Sequence, residues 1–163
     1  MRHKSAMCKI CNYCEKWSPY FLSLLRVVIG VLILQHGGQK VFGFPVIGHG
    51  TPPPPLFSWP MGIAGILELV GGLLVLLGLF TRPAAFILSG QMAVAYFMVH
   101  FPQGWLPIHN RGELAVVYCF ALLYFAMAGP GPWSLDGCRK CCATRPDEKE
   151  TKMTNDKAPM TNQ

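Results

Sequence analysis

A handful of ionisable and amide side chains stand where hydrocarbon would be expected, and they are the residues able to do chemistry in this chain. Glu68 lies inside the apolar run MGIAGILELVGGLLVLLGLF, residues 61–80. Arg26 and Gln91 lie inside two other apolar runs, and His36, Lys40, His100, His109 and Glu113 fall near the ends of such runs. A charged side chain at mid-membrane costs about 2.5–3.5 kcal/mol on insertion scales, so Glu68 is expected to face other helices rather than lipid. A buried acid near imidazoles can accept and relay protons, because histidine changes protonation near neutral pH. An apolar bundle with a few converging polar groups also suits a quinone head group. Glu68, His36 and Arg26 are the candidate catalytic set, with Gln91, His100, Lys40 and Glu113 as candidate contacts to a cofactor. The competing reading is structural: Arg26 and Glu68 neutralise one another between helices. Counting residues from opposite ends puts Arg26 near the inner surface and Glu68 in the outer third.

A second group of residues is defined by spacing. Cys8, Cys11 and Cys14 form C-x-x-C-x-x-C, and Cys138, Cys141 and Cys142 form C-x-x-C-C. Two such knuckles on one face can supply four thiolates to zinc or to an iron–sulfur cluster. Acylation near a membrane, or unselected thiols in the tails, are the plainer alternatives. Cys119, inside the last apolar run, reads as a small buried residue. The histidines have no compact ligand spacing, and Glu113 suits the first turn of a helix, where the macrodipole favours an acid.

The elements that must position these groups follow from hydropathy. The 163 residues include only 13% charged ones, and the formal net charge is +6; the mean hydropathy is +0.34. Soluble domains carry about 25% charged residues. The pattern predicts an all-α membrane protein, a four-transmembrane-helix bundle with spans at about residues 20–38, 61–80, 83–101 and 112–129. Gly65, Glu68 and Gly72 share one helical stripe, and Gly30, Leu34 and Gly37 share another, so two helices are expected to approach closely there. Pro83 suits a first helical turn. Asn110-Arg111-Gly112-Glu113 reads as a capping box, with Asn110 as N-cap and Glu113 at N3. Residues 129–132, Gly-Pro-Gly-Pro, stop the last span.

The domain division is a cysteine-rich segment over 1–19, a membrane domain over 20–133 and a polar tail over 134–163, whose end is expected to be disordered. The basic start could open a signal peptide, but no small-x-small cleavage site follows the long apolar run, so an uncleaved first span is expected. Arg2, Lys4, Lys9 and Lys16 crowd one end, and Arg139, Lys140, Arg145, Lys149, Lys152 and Lys157 the other. The positive-inside bias then puts both termini in the cytoplasm. The basic ends are explained by this bias, with no nucleic-acid partner. No nucleophile elbow, phosphate loop or catalytic carboxylate pair points to a soluble hydrolase, and four short spans without broken-helix repeats make a poor monomeric transporter.

The succession RVVIGVLILQHGGQK (26–40), ELVGGLLVLLGLFTR (68–82), NRGE (110–113) and GPGPWSLD (129–136) resembles the DoxX family of small bacterial and archaeal membrane proteins. The resemblance covers about residues 22–136 and leaves out the cysteine-rich ends. It implies a four-helix bundle in a bacterial inner membrane. It also implies a role as a membrane subunit of a redox system, exchanging electrons with quinone or with a thiol- or sulfur-linked partner. The alternative is a non-catalytic anchor or assembly subunit that docks a protein partner through its cytoplasmic ends, and a homo-oligomer is compatible with either.

Overall fold

The computed structural model describes residues 2–46 and 53–138, with side chains from Tyr13 onward. Among them every regular element is helical. The order is α1 (Arg2–Phe42), α2 (Met61–Leu77), α3 (Thr81–Ala95), a short α4 (Pro107–Asn110) and α5 (Glu113–Ala128). Beyond α3 the helix widens into a π turn, Tyr96–His100, and tightens into a 3-10 turn, Phe101–Gln103.

Two stretches are long and apolar enough to cross a membrane, Tyr13–Phe42 and Thr81–Gln103. The other two apolar helices are shorter than the sequence pattern predicts. α2 has 17 residues and α5 has 16, about 25 Å each at 1.5 Å per residue, against a hydrocarbon core of about 30 Å. For α2 the reason is local. Gly78 takes a left-handed conformation at φ 70°. Its N–H bonds the Val75 carbonyl, and the Leu79 N–H reaches back to Leu74. This Schellman motif ends the helix while the sequence is still apolar, so Leu79 and Phe80 belong to the turn.

α1 differs in the other direction. It is one helix of 41 residues, roughly 60 Å long, and it crosses the expected boundary between residues 19 and 20 without a break. Pro19 lies inside it, and Ser23 Oγ bonds the Pro19 carbonyl at 3.1 Å.

The helices pack as two pairs, α1 on α2 and α3 on α5, joined mainly by α2 against α3. The core is a column of Ile29, Ile33, Val75, Leu88, Leu122 and Phe125, drawn from all four long helices. The α1–α2 contact is the predicted glycine seam. A methyl group on Gly37 would collide with the backbone of Glu68 and Leu69, and one on Gly72 would press on Leu34. Backbone-to-backbone approach of this kind replaces the hydrophobic drive that lipid cannot supply between helices.

Candidate functional site

The glycine seam puts α1 close enough to α2 for Lys40, in the last turn of α1, to reach Glu68. Lys40 Nζ lies 2.5 Å from Glu68 Oε1. Gln91 of α3 donates from Nε2 to the same oxygen at 2.8 Å. Glu68 is only 2% exposed, whereas the Lys40 side chain is 25% exposed. Its stem can therefore cover apolar surface while its ammonium meets the acid. The other oxygen, Glu68 Oε2, is buried and has no hydrogen-bond partner among the described residues, as is the case for Gln91 Oε1. The cluster thus holds two unused acceptors on side chains already joined to one another.

Beside this cluster, between α1, α2 and α3, lies a cavity of about 520 Å³. Its walls are mostly apolar, from Ile63, Ala64, Leu67, Ile87, Val94 and Met98, and its polar groups are Lys40, Gln91, His36 and His100. Trp59, Pro60 and Met61 close the side next to the start of α2. His36 stands edge-on to Tyr118, with ring centroids 6.0 Å apart.

His100 is positioned by the loop behind it. The π turn ends at His100, and its Nδ1 lies 3.0 Å from the Asn110 carbonyl. Its ring stacks on Tyr96, with centroids 6.4 Å apart and planes 27° from parallel. Asn110 is a hub. Its Nδ2 donates to the Gly104 carbonyl, and its Oδ1 accepts from the Gly112 N–H. The predicted capping box is therefore corrected. Arg111 is left-handed at φ 57° and α5 starts at Glu113 with Gly112 as its cap. Asn110 closes a turn two residues ahead instead of reaching the third. Glu113 stays in the first helical turn but is exposed, and it does not line the cavity. His109 is also exposed.

Arg26 lies elsewhere. It is 1% exposed and donates to four carbonyls: Pro130 from Nε at 2.8 Å, Val75 and Leu76 from Nη1 at 2.6 Å, and Trp133 from Nη2. The Val75 and Leu76 carbonyls belong to the last turn of α2, where a cation complements the macrodipole. Arg26 and Glu68 do not neutralise each other; each has its own partners.

Asp136, to which the sequence pattern gives no role, completes this end. Its carboxylate accepts the N–H groups of Phe80 and Thr81 at 3.2 Å each, and its own N–H bonds the Gly78 carbonyl. A signal for it existed: Leu79 and Phe80 precede α3 and cannot cap it, so an acceptor had to come from another part of the chain. Tyr96 was also missed, since an aromatic in an apolar run carries no sign of a stacking role.

Of the six terminal cysteines, Cys14 and Cys138 are exposed free thiols. The side chains of Cys8 and Cys11, and residues Cys141 and Cys142 altogether, lie outside the described residues. Among the described residues no three potential ligands converge on a metal position.

These features can be set beside known proteins. The DoxX sequence profile matches residues 21–101, the stretch that carries Arg26, His36, Lys40, Glu68, Gln91 and His100. An uncharacterized protein of Haemophilus influenzae is 44% identical over 131 residues, covering 77% of this chain and 95% of that one. An uncharacterized membrane protein of Mycobacterium tuberculosis is 31% identical over 72% of this chain and 80% of its own length. The inner membrane protein YqjF of Escherichia coli is 29% identical over 68% of this chain and 85% of its own length. No solved structure matches the chain significantly. The chain belongs to the DoxX family of membrane proteins.

Proposed function

We propose that this protein is a membrane subunit of a redox system that holds a quinone-class head group in the cavity between α1, α2 and α3. The observation that carries this reading is one arrangement: an apolar cavity of about 520 Å³ whose polar wall is Lys40, Gln91, His36 and His100, with Glu68 buried behind Lys40 and Gln91. That volume falls within the usual range for small-ligand sites, about 300–1,000 Å³. The donor set fits. Lys40 spends one N–H on Glu68 and has two more for a ring oxygen. The unpartnered Glu68 Oε2 and Gln91 Oε1 leave the cluster room for one more proton. A bound quinone supplies two-electron, two-proton chemistry. The chain supplies a mostly apolar cavity, a cation to fix a ring oxygen and, in Glu68, an acceptor for a proton. Arg26 takes no part and braces the opposite end.

In this reading all four long helices span the bilayer. The two shorter ones are extended by the turn residues at their ends, and both basic termini face the cytoplasm of a bacterial cell. The cavity then lies in the outer half of the bundle, where a lipid-soluble head group can enter from the side. The test is extraction of protein purified in mild detergent, with quinone measured against the membrane background. Near-stoichiometric quinone in the wild type, lost in Lys40→Met, is the expected result. Quinone no higher than its share of co-purified lipid would remove this reading and leave the anchor.

A further inference from the structure

His100 is the cavity imidazole whose hydrogen-bonding sense is fixed by its partner. A backbone carbonyl only accepts, so the 3.0 Å contact between His100 Nδ1 and the Asn110 oxygen places the ring proton on Nδ1. In the neutral ring Nε2 is then left as an acceptor, and among the described residues nothing bonds to it. Three features hold the ring in that orientation. The π turn of Tyr96–His100 sets its place on the helix, Tyr96 stacks on its face, and Asn110 is itself pinned through both side-chain atoms. Widened helical turns of this kind are rare and concentrate at functional sites.

The cavity is lined by Lys40, a donor on α1, and by His100 at the end of the π turn, whose free acceptor is Nε2. A quinone carries only carbonyl acceptors and can use Lys40 but not His100. A hydroquinone carries hydroxyls, which accept and donate at once. It can take a hydrogen bond from Lys40 and give one to His100.

We infer that His100 Nε2 is the hydroxyl-recognising atom of the cavity, so that the site binds the reduced, hydroquinone form of its head group more tightly than the oxidised form. This rests on the reading that the cavity takes a quinone-class ligand. It adds which redox form is held and which residue tells the two apart.

The experiment uses the full chain in lipid nanodiscs under anaerobic conditions. Saturable quenching of tryptophan fluorescence gives the readout, since Trp59 lines the cavity. The probes are a short-tailed benzoquinone, its hydroquinone and the dimethyl ether of that hydroquinone, which keeps the ring but has no O–H. The hydroquinone is expected to bind roughly three- to ten-fold tighter than the quinone, the worth of one net hydrogen bond, with the ether no better than the quinone. His100→Phe keeps a ring to stack on Tyr96 and should bring the hydroquinone to the level of the quinone. Equal affinities in the wild type, or a preference that survives in His100→Phe or in the ether, overturn this inference alone. Failure of every probe to bind overturns it together with the quinone reading. The ether comparison needs no variant, so it decides the matter even if His100→Phe does not fold.

Discussion

Arg26 and Glu68, the two buried charges among the described residues, are treated in opposite ways. Arg26 spreads its guanidinium over carbonyls from two chain segments, the end of α2 and the loop after α5. Its hydrogen-bond acceptors are backbone, which no ligand can displace, with the Asp136 carboxylate as a nearby charge, and few of its donors are left over. Glu68 has side-chain partners, one of them a quarter exposed on a flexible stem, and one of its oxygens has no partner among the described residues. A fully engaged charge fastens helices together. An incompletely engaged charge beside a cavity is one whose remaining valence can be used by something else. The difference separates brace from site without any appeal to how acidic or basic the groups are.

The largest effect expected from breaking this contrast is at the brace. Arg26→Leu fits the space but leaves the carbonyls of Val75, Leu76, Pro130 and Trp133 without that donor. The Val75 carbonyl keeps the Gly78 N–H. Each of the other three costs about 1–3 kcal/mol when stripped of its donor, so a loss of about 3 kcal/mol or more is expected. Yield and monodispersity in detergent should collapse. Arg26→Lys keeps the charge but lacks the planar fork, and should recover only part of the stability. Arg26→Leu protein that melts within a few degrees of wild type would show that the loop contacts do not hold the bundle.

At the site, the order of costs should depend on which partner is removed. Lys40→Met leaves a buried carboxylate without its cation and should cost about 3 kcal/mol, at the low end for a buried pair because Lys40 is partly exposed. Glu68→Gln removes the acid but leaves the cation free to turn toward water, and should cost about 1 kcal/mol. The double variant Lys40→Met, Glu68→Gln should be more stable than Lys40→Met alone, since no charge remains buried. Thermal melts of the four proteins in one detergent measure the cycle. Additive losses would mean that the two side chains are not coupled as the 2.5 Å contact requires.

The seam that brings the pair together is the next target. Gly37→Ala puts a methyl group into the backbone of α2 at Leu69 and should cost about 1–3 kcal/mol, as overpacking does. Gly90 of α3 is the control, because nothing lies within 4 Å of an added methyl group. Gly90→Ala should be neutral or stabilising by up to about 1 kcal/mol through helix propensity. If both substitutions behave alike, the close approach of α1 and α2 is not what the glycines are for.

Much of this was legible in the sequence, and the boundary follows physical lines. The four apolar helices, the glycine stripe that carries Glu68, and the separation of Arg26 from Glu68 along the bundle all follow from periodicity and from counting residues. Lys40, Gln91, His36 and His100 were found because polar groups in apolar runs are costly and so conspicuous. Which of them met was not legible, because that depends on how α1 and α2 are rotated about the seam. Helix ends were read less well. The pattern for residues 61–80 stays apolar past Gly78, and only the left-handed glycine shows where the hydrogen bonding stops. Asn110 reads from the sequence as the N-cap of the last span but closes a turn instead, since a side chain that can cap three residues ahead can also close a turn two ahead. Glu113 was assigned to the cavity on the strength of its type and lies exposed at the start of α5. Most of the terminal cysteines fall outside the described residues, so their spacing stands as a sequence observation.

Asp136 is where the smallest effect is expected, and it sharpens the contrast between the two ends. It lies far along the chain from the turn it serves, yet it accepts both leading N–H groups of that turn and accounts for the way α2 passes into α3. Asp136→Ala removes a cap and an acid at a helix start, each worth about 1 kcal/mol or less. Asp136→Asn can still accept one N–H and should lose only a few tenths of a kcal/mol. Both variants should melt slightly earlier than wild type and leave the cavity residues undisturbed, so the preference for hydroquinone over quinone should be unchanged. A change in that preference on substituting Asp136 would mean that the two ends are coupled through α3, because Thr81 and Gln91 lie on that one helix. The brace and the site would then be two parts of one device.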